Sequence, residues 1–222
     1  MAPHTRQATA TIEDDQDLLV PVHDHKKRHL DVRDVVEIRS SPYYDKSHWL
    51  DLKTLEEPYK VLALALQSFQ PVTEKYAFDP YQEAFNISEV IELAKDYSKQ
   101  LQVDFPKTTL YVIAFRSILY AEVQASAEKR QFLAKVDNDS HIEANVSGGL
   151  LKYWFGTPDD VHGQNLATCW WVSKQHAKNG GGGEAHRSGM KAVRSWFEHW
   201  QVEEYELIIE KDIASYNFNR VA

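Results

Sequence analysis

Three observations in the sequence predict an α+β fold with a ferredoxin-like core. The first is residues 109–119 (TLYVIAFRSIL), the strongest strand pattern in the chain, rich in aromatic and β-branched residues. The second is a pair of short apolar runs, residues 150–155 (LLKYWF) and 166–172 (LATCWWV), bounded by turn residues. The third is the alternation of Tyr205, Leu207 and Ile209 with Glu206, Ile208 and Glu210, which reads as a final strand with one wetter face. With helices at 127–146 and from Glu184 onward, the order from Thr109 is strand, helix, strand, strand, helix, strand. That is the ferredoxin-like βαββαβ unit.

Taken in order, residues 1–48 are polar and read as a largely disordered or loosely docked arm. Its run HDHKKRH, with His23, His25 and His29, reads as solvated charge; a metal tract or a basic address is the alternative. Residues 49–222 form a single α+β domain. The apolar run 59–70 (YKVLALALQSFQ) fits a strand or a buried helix, and the following Pro71-Val72-Thr73 favours the strand. Residues 88–101 make a helix, with Ser88 as N-cap and Val90, Ile91, Ala94, Tyr97 and Leu101 on its apolar face. These two elements add an N-terminal strand–helix pair to the core. The helix over 127–146 carries Asp137-Asn138-Asp139, which reads as a break or surface kink.

Residues 156–165 hold Pro, Gly, Asp and Asn and make a turn or open loop, so the runs on either side pair antiparallel. Alternation places Ala167, Cys169 and Trp171 on one face of the second run, and Leu166, Thr168, Trp170 and Val172 on the other. Ser173 suits a helix N-cap for a short turn over 174–178. Asn179 and four consecutive glycines end it, each glycine costing roughly 1 kcal/mol against alanine in a helix. A longer helix restarts near Glu184, with Met190, Val193, Trp196 and Phe197 on one stripe.

The net charge of -8 argues against nucleic acid or an anionic membrane as partner. One cysteine excludes an intrachain disulfide and a thiolate-rich metal site. No apolar run approaches the roughly 18 residues that span a bilayer. The first residues, MAPHTRQATATIEDDQD, have no apolar core for a secretory signal, so a cytoplasmic location is expected.

The stretches GGLLKYWFG and NLATCWWVS, followed by His186, Arg187, Ser188, Gly189 and Met190, resemble an uncharacterised family of small fungal proteins over roughly residues 110–210. A more distant resemblance rests on Trp171-Val172-Ser173 ending a strand, then a helix with Ala177, then His186. That pattern is similar to dimeric α+β-barrel proteins, which include cofactor-free monooxygenases, polyketide cyclases and stress-responsive barrel proteins. The resemblance implies a homodimer in which two sheets pair to close a barrel, with a pocket between sheet and helices. The glycine insert at 180–183 departs from it.

Arg116 shares a strand face with Leu110, Val112, Ala114 and Ile118. A charge there needs a partner: a ligand oxygen held by its forked donors, or a structural glutamate. His186 and His141 are the acid–base candidates, since histidine titrates near neutrality. Tyr153, Trp154, Trp170 and Trp171, with Asn165 at the loop end, are the candidate ligand-binding residues; an aromatic core or a dimer surface is the alternative. Tyr153 and Trp154 cannot both face one pocket. Cys169 reads as a buried structural thiol. The histidine spacing fits no metal site, and no cofactor is expected.

Together with the barrel resemblance, these residues lead to a cofactor-independent enzyme on a hydrophobic carbonyl or phenolic small molecule, in fungal secondary metabolism. Its reaction would be proton transfer, cyclisation, dehydration or decarboxylation. Arg116 would hold the oxyanion, His186 or His141 would move the proton, and Tyr153 or Trp170 would pack the ligand. Two rivals stand beside it. One is an acyl-CoA-dependent acyltransferase using the loop at 180–183, a position that Glu184 opposes. The other is a non-enzymatic interaction protein with an aromatic dimer surface.

Overall fold

The computed structural model describes residues 31–222, so the basic–histidine run at 23–29 lies outside the described residues. The chain first makes a two-stranded hairpin, β1 (Glu37–Arg39) and β2 (Trp49–Asp51). Three helices follow: α1 (Glu57–Ala65), α2 (Tyr81–Ala84) and α3 (Ile87–Leu101). The ferredoxin-like unit then runs through β3 (Thr108–Leu119), α4 (Ala121–Ala125), α5 (Ala127–Ser147), β4 (Leu150–Phe155), β5 (Gln164–Trp171), α6 (Lys174–Gly180), α7 (Glu184–Trp196) and β6 (Phe197–Ile209). A last strand, β7 (Tyr216–Arg220), adds an edge that the sequence pattern does not announce. The sheet order is β4-β5-β3-β6-β7, antiparallel throughout.

The expected strand at 59–70 is a helix, α1, continued by a 3-10 turn at Leu66–Ser68. Val61, Leu62, Ala63, Leu64, Ala65 and Leu66 are all buried. A helix buried all round has no polar stripe, so its 3.6 period is invisible in the sequence. Leu and Ala are strong helix formers, and Pro58 sits in the first turn, where it is tolerated. The N-cap position of α3 belongs to Asn86 rather than Ser88; its side chain bridges the backbones of Gln70 and Ser68 instead of capping. Phe197 opens β6 rather than closing the α7 stripe.

No break occurs at Asp137-Asn138-Asp139, and α5 runs through all three. Each polar side chain has a partner: Asp137 accepts from two tyrosines, Asn138 meets His48, and Asp139 pairs with Lys135 one turn back. Ser173 caps α6 as the sequence predicts. The helix then ends at Gly180, where a Cβ would collide with the Trp171 ring.

Both sheet faces are covered. On one, Leu110, Val112 and Ala114 of β3, Leu166 and Trp170 of β5, and Leu207 and Ile209 of β6 pack with the buried residues of α1, α2 and α3. Phe69 meets Trp170 edge-on, and Tyr81 stacks on Tyr205 and Phe218. On the other, Tyr111, Leu150, Tyr153 and Trp171 pack against Ala144 of α5 and Ala177 of α6. The face that would close against a partner sheet in a paired barrel is therefore filled by the chain's own N-terminal helices. Any pairing of two copies would have to use another surface. The stretch 31–48 also packs on the domain, with Ser40 and His48 fully buried.

Arg116 lies on the α1–α3 face, paired with Glu203 through Nε at 3.2 Å. Its two terminal nitrogens donate to the carbonyls of Tyr76, Ala77 and Asp79, fastening the loop before α2 to the sheet. Glu203 also accepts from Tyr205 Oη at 2.8 Å and Gln201 Nε2 at 3.0 Å. Removing one member of a buried, hydrogen-bonded pair strands the other charge. Arg116→Met should cost about 3–5 kcal/mol in urea unfolding, and adding Glu203→Gln should recover part of that loss.

Candidate functional site

The α5 face of the sheet gathers the polar side chains that the sequence scatters. Four elements contribute. The segment 40–48 brings Ser40, Tyr43 and His48; α5 brings Asp137, Asn138, His141 and Glu143; β4 brings Tyr153; α7 brings His186. The α5 residues 137, 141 and 144 recur at helical spacing, so they look inward together.

Asp137 is the centre. Tyr153 Oη donates to its Oδ1 at 2.5 Å, and Tyr43 Oη donates to its Oδ2. Burial pushes the Asp137 carboxyl above the ordinary range, and the two tyrosine hydroxyls and the nearby His186 and His48 oppose that push. Both tyrosines are driven up, by burial first and by Asp137 next, so they remain phenols that donate to the carboxylate. Cys169, on the neighbouring strand, is raised by burial and by Asp137, which makes it an inert thiol.

Beside Asp137, the rings of His48 and His141 stack at 4.7 Å with their Nδ1 atoms 2.6 Å apart. That contact needs one donor and one acceptor, so it excludes two charged rings. His141 is 4% exposed, and burial, followed by the charges of His48, His186 and Lys152, pushes it down to about 3. His48 is lowered by burial as well. Lys152, on β4, is brought down to about 8 by burial and by Arg39.

His186 differs in exposure, at 32% of its side chain, and its Nδ1 lies 3.4 Å from Glu143 Oε2. Glu143 also accepts from the backbone amides of Ala185 at 2.9 Å and His186 at 3.3 Å. Burial works against the Glu143 charge, but those amides hold it below the usual carboxylate range. A carboxylate at a helix N-terminus is favourably placed against the helix dipole. With Nδ1–H turned to Glu143, the imidazole keeps Nε2 as its basic nitrogen. Half-buried apolar residues of the same sheet face, Ile113, Phe155, Ala167 and Cys169, pack against the buried hydrophobic cluster that includes Tyr111, Tyr153 and Trp171.

Of the residues singled out from the sequence, His141, His186 and Tyr153 come together here. Arg116, Trp154 and Trp170 do not; they lie on the α1–α3 face. Trp171 is on the α5 face but packs under Gly180, and Asn165 sits at the far end of β5, opposite Ser117. Trp170 and Trp171 are 0% and 3% exposed, so neither offers a surface to a partner. The amides that an acyl-CoA phosphate would need at the start of α7 are taken by Glu143. The sequence reads Asp137 as part of a kink and Glu143 only as a neighbour of His141, and it gives Tyr43 and His48 no role. The available signal was the spacing of Asp137 and His141, one helical turn apart.

This chain belongs to the PB2B2.08-like family, whose pattern matches residues 39–220. Within that family it is similar to the UPF0643 protein PB2B2.08 of Schizosaccharomyces pombe, at 50% identity over 214 residues, covering 95% of this chain and 96% of the relative. Among solved structures it is similar to Rv0793 of Mycobacterium tuberculosis, at 13% identity over 44% of this chain and 92% of that one, with a TM-score of 0.35. A Nitrosomonas europaea protein bearing the name of the antibiotic biosynthesis monooxygenases matches at 10% identity over 46% and 90%, also with a TM-score of 0.35. Neither likeness bears on chemistry. No helix among the described residues is long and apolar enough to cross a membrane.

Removing the Asp137 carboxylate strands the buried Tyr153 hydroxyl. Asp137→Ala should cost about 1–3 kcal/mol in chemical denaturation. Tyr43→Phe, at a half-exposed position, should cost less.

Proposed function

We propose that the α5 face binds a hydrophobic small molecule with an enolisable carbonyl or a phenol and moves a proton on it, without a cofactor. The observation that carries this reading is a half-exposed histidine, His186, held through Nδ1 by Glu143 and lying within the field of the buried Asp137. His186 Nε2 is the general base. Glu143 fixes the ring and its tautomer, and Asp137 offsets the charge of the imidazolium that forms when the proton arrives. The tyrosine hydroxyls hold the Asp137 carboxylate in place for that task.

His141 is the poorer base. With its proton affinity pushed down to about 3, it stays neutral and serves the hydrogen-bond network. The half-buried side chains of Ile113, Phe155 and Ala167 supply an apolar surface for the ligand. Arg116, whose guanidinium is committed on the other face, has no part in this reading.

The test combines binding with proton exchange. A panel of hydrophobic β-dicarbonyl and phenolic compounds is screened by thermal shift, and binders are followed by NMR in D2O for exchange of their acidic C–H. A binder should exchange faster than in buffer. His186→Gln should keep the thermal shift but cut the exchange rate by about 10²–10⁴-fold. A panel with no binder, or exchange unchanged in His186→Gln, would overturn the proposal.

A further inference from the structure

Strand β6 has two neighbours along only part of its length. β3 pairs with it from end to end, whereas β7 pairs with Tyr205–Ile209 alone. Just beyond, Glu204 gives its amide to the Ala222 carbonyl at 3.1 Å and accepts from the Val221 amide at 2.8 Å, and there the second ladder ends. The outer edge of residues 199–203 is therefore unpaired among the described residues. Backbone groups alternate in direction along an antiparallel strand. Glu204 turns both of its groups to the outer edge, so Val202 and Trp200 turn theirs there too. A bulge opposite Ile118 and Leu119 closes the regular stretch at His199.

The same stretch is apolar on the α5 side. No side chain from Phe197 to Val202 is buried, and Val202 is 42% exposed. The Trp200 ring lies 5.6 Å from Phe115 and 5.1 Å from Phe197, and the surface continues through Trp196 to Phe132, which is 44% exposed. None of these rings is part of either buried core, because both helical layers stop short of this end of the sheet. A contiguous apolar surface of this kind marks an interaction site. An open strand edge beside it is a template for another strand, and sheets that stay single blunt such edges with proline or exposed charge. Residues 199–203 hold no proline, and their carboxylate, Glu203, is buried on Arg116.

We infer that this edge is a homodimer interface: β6 of a second copy pairs with it antiparallel about Gln201, joining two five-stranded sheets into one. A second copy fits because the stretch is complementary to its own reverse. Trp200 faces the partner's Val202 and Val202 faces the partner's Trp200, each pair exchanging the backbone hydrogen bonds that point outward. Aromatic and β-branched side chains are favourable cross-strand neighbours. Gln201 faces the partner's Gln201, His199 faces the partner's Glu203, and within the stretch no like charges stand opposite each other. The two-fold axis runs perpendicular to the sheet, so the two aromatic surfaces lie side by side on one face. The filled α1–α3 face stays out of the contact. The inference does not rest on the proposed function, and its test reads assembly alone.

Sedimentation velocity of the full chain over a wide concentration range should show a dimer. Val202→Glu should raise its dissociation constant by about tenfold or more, and Trp200→Lys should do the same. An equimolar mixture of the two variants should recover dimer, since the introduced carboxylate and ammonium then stand opposite each other. That recovery separates a lost interface from a lost fold. Gln201→Cys should form a disulfide-linked dimer on mild oxidation, because the two Cα atoms meet across the axis at about 4.5 Å. A monomer at every concentration, the edge then being left to another segment or partner, would overturn the inference. So would a dimer indifferent to both Val202→Glu and Trp200→Lys, a mixture that recovers nothing, or a Gln201→Cys chain that forms no cross-link.

Discussion

Strands β3, β4 and β5 serve two cores at once, and that constraint arranges the rest of the molecule. On β5, Trp170 points into the α1–α3 layer while Trp171 points under α6. The N-terminal helices take over the face that a bare ferredoxin-like sheet leaves open, so the chain completes its larger core by itself. Apolar burial on that face, at roughly 25 cal/mol per Å², is the dominant stabilising contribution. The Arg116–Glu203 pair is then a fastening inside that core: it spends a guanidinium on three loop carbonyls and brings the loop at 76–79 down on the sheet. A charge with that many partners is a structural part of the layer.

The α5 face is smaller and more polar. Buried polar groups are tolerated where each finds a partner, and a half-satisfied network would cost more than an apolar one. Here Asp137 has two phenols, His48 and His141 have each other, and Asn138, Asn145 and Ser40 join them, while the buried Trp171 Nε1 of the same face has no partner. His186, joined to Glu143 at the start of α7, stands at the edge of this network rather than inside it. That division suits a site: an interior set of groups fixed by mutual satisfaction, and one titratable nitrogen left for the ligand.

Much of the fold was legible in the sequence because its signals are local. The β3 run, the paired aromatic strands, Ser173 as a cap and the glycine break before Glu184 depend on propensity and alternation, and they stand. Helix α1 was misread because LALAL is buried all round and shows no stripe. The supposed kink at Asp137 was misread because its partners Tyr43 and Tyr153 are far away or on another element, and no local rule reports them. The same limit hid half of the site. His141, His186 and Tyr153 drew attention by residue type, whereas Glu143, His48 and Tyr43 acquire meaning only when α5 lies across β4 and the segment 40–48 folds over it. Arg116 drew attention correctly as a charge needing a partner, and the partner is Glu203.

The most direct measurement is the protonation and tautomer state of the three histidines, read from long-range proton–nitrogen NMR correlations of the imidazole rings at neutral pH. The account predicts neutral His48 with its proton on Nδ1, neutral His141 with its proton on Nε2, and His186 with Nδ1 protonated and Nε2 free. A charged His141, or a His48 protonated on Nε2 alone, would contradict the network on which the α5 face is built.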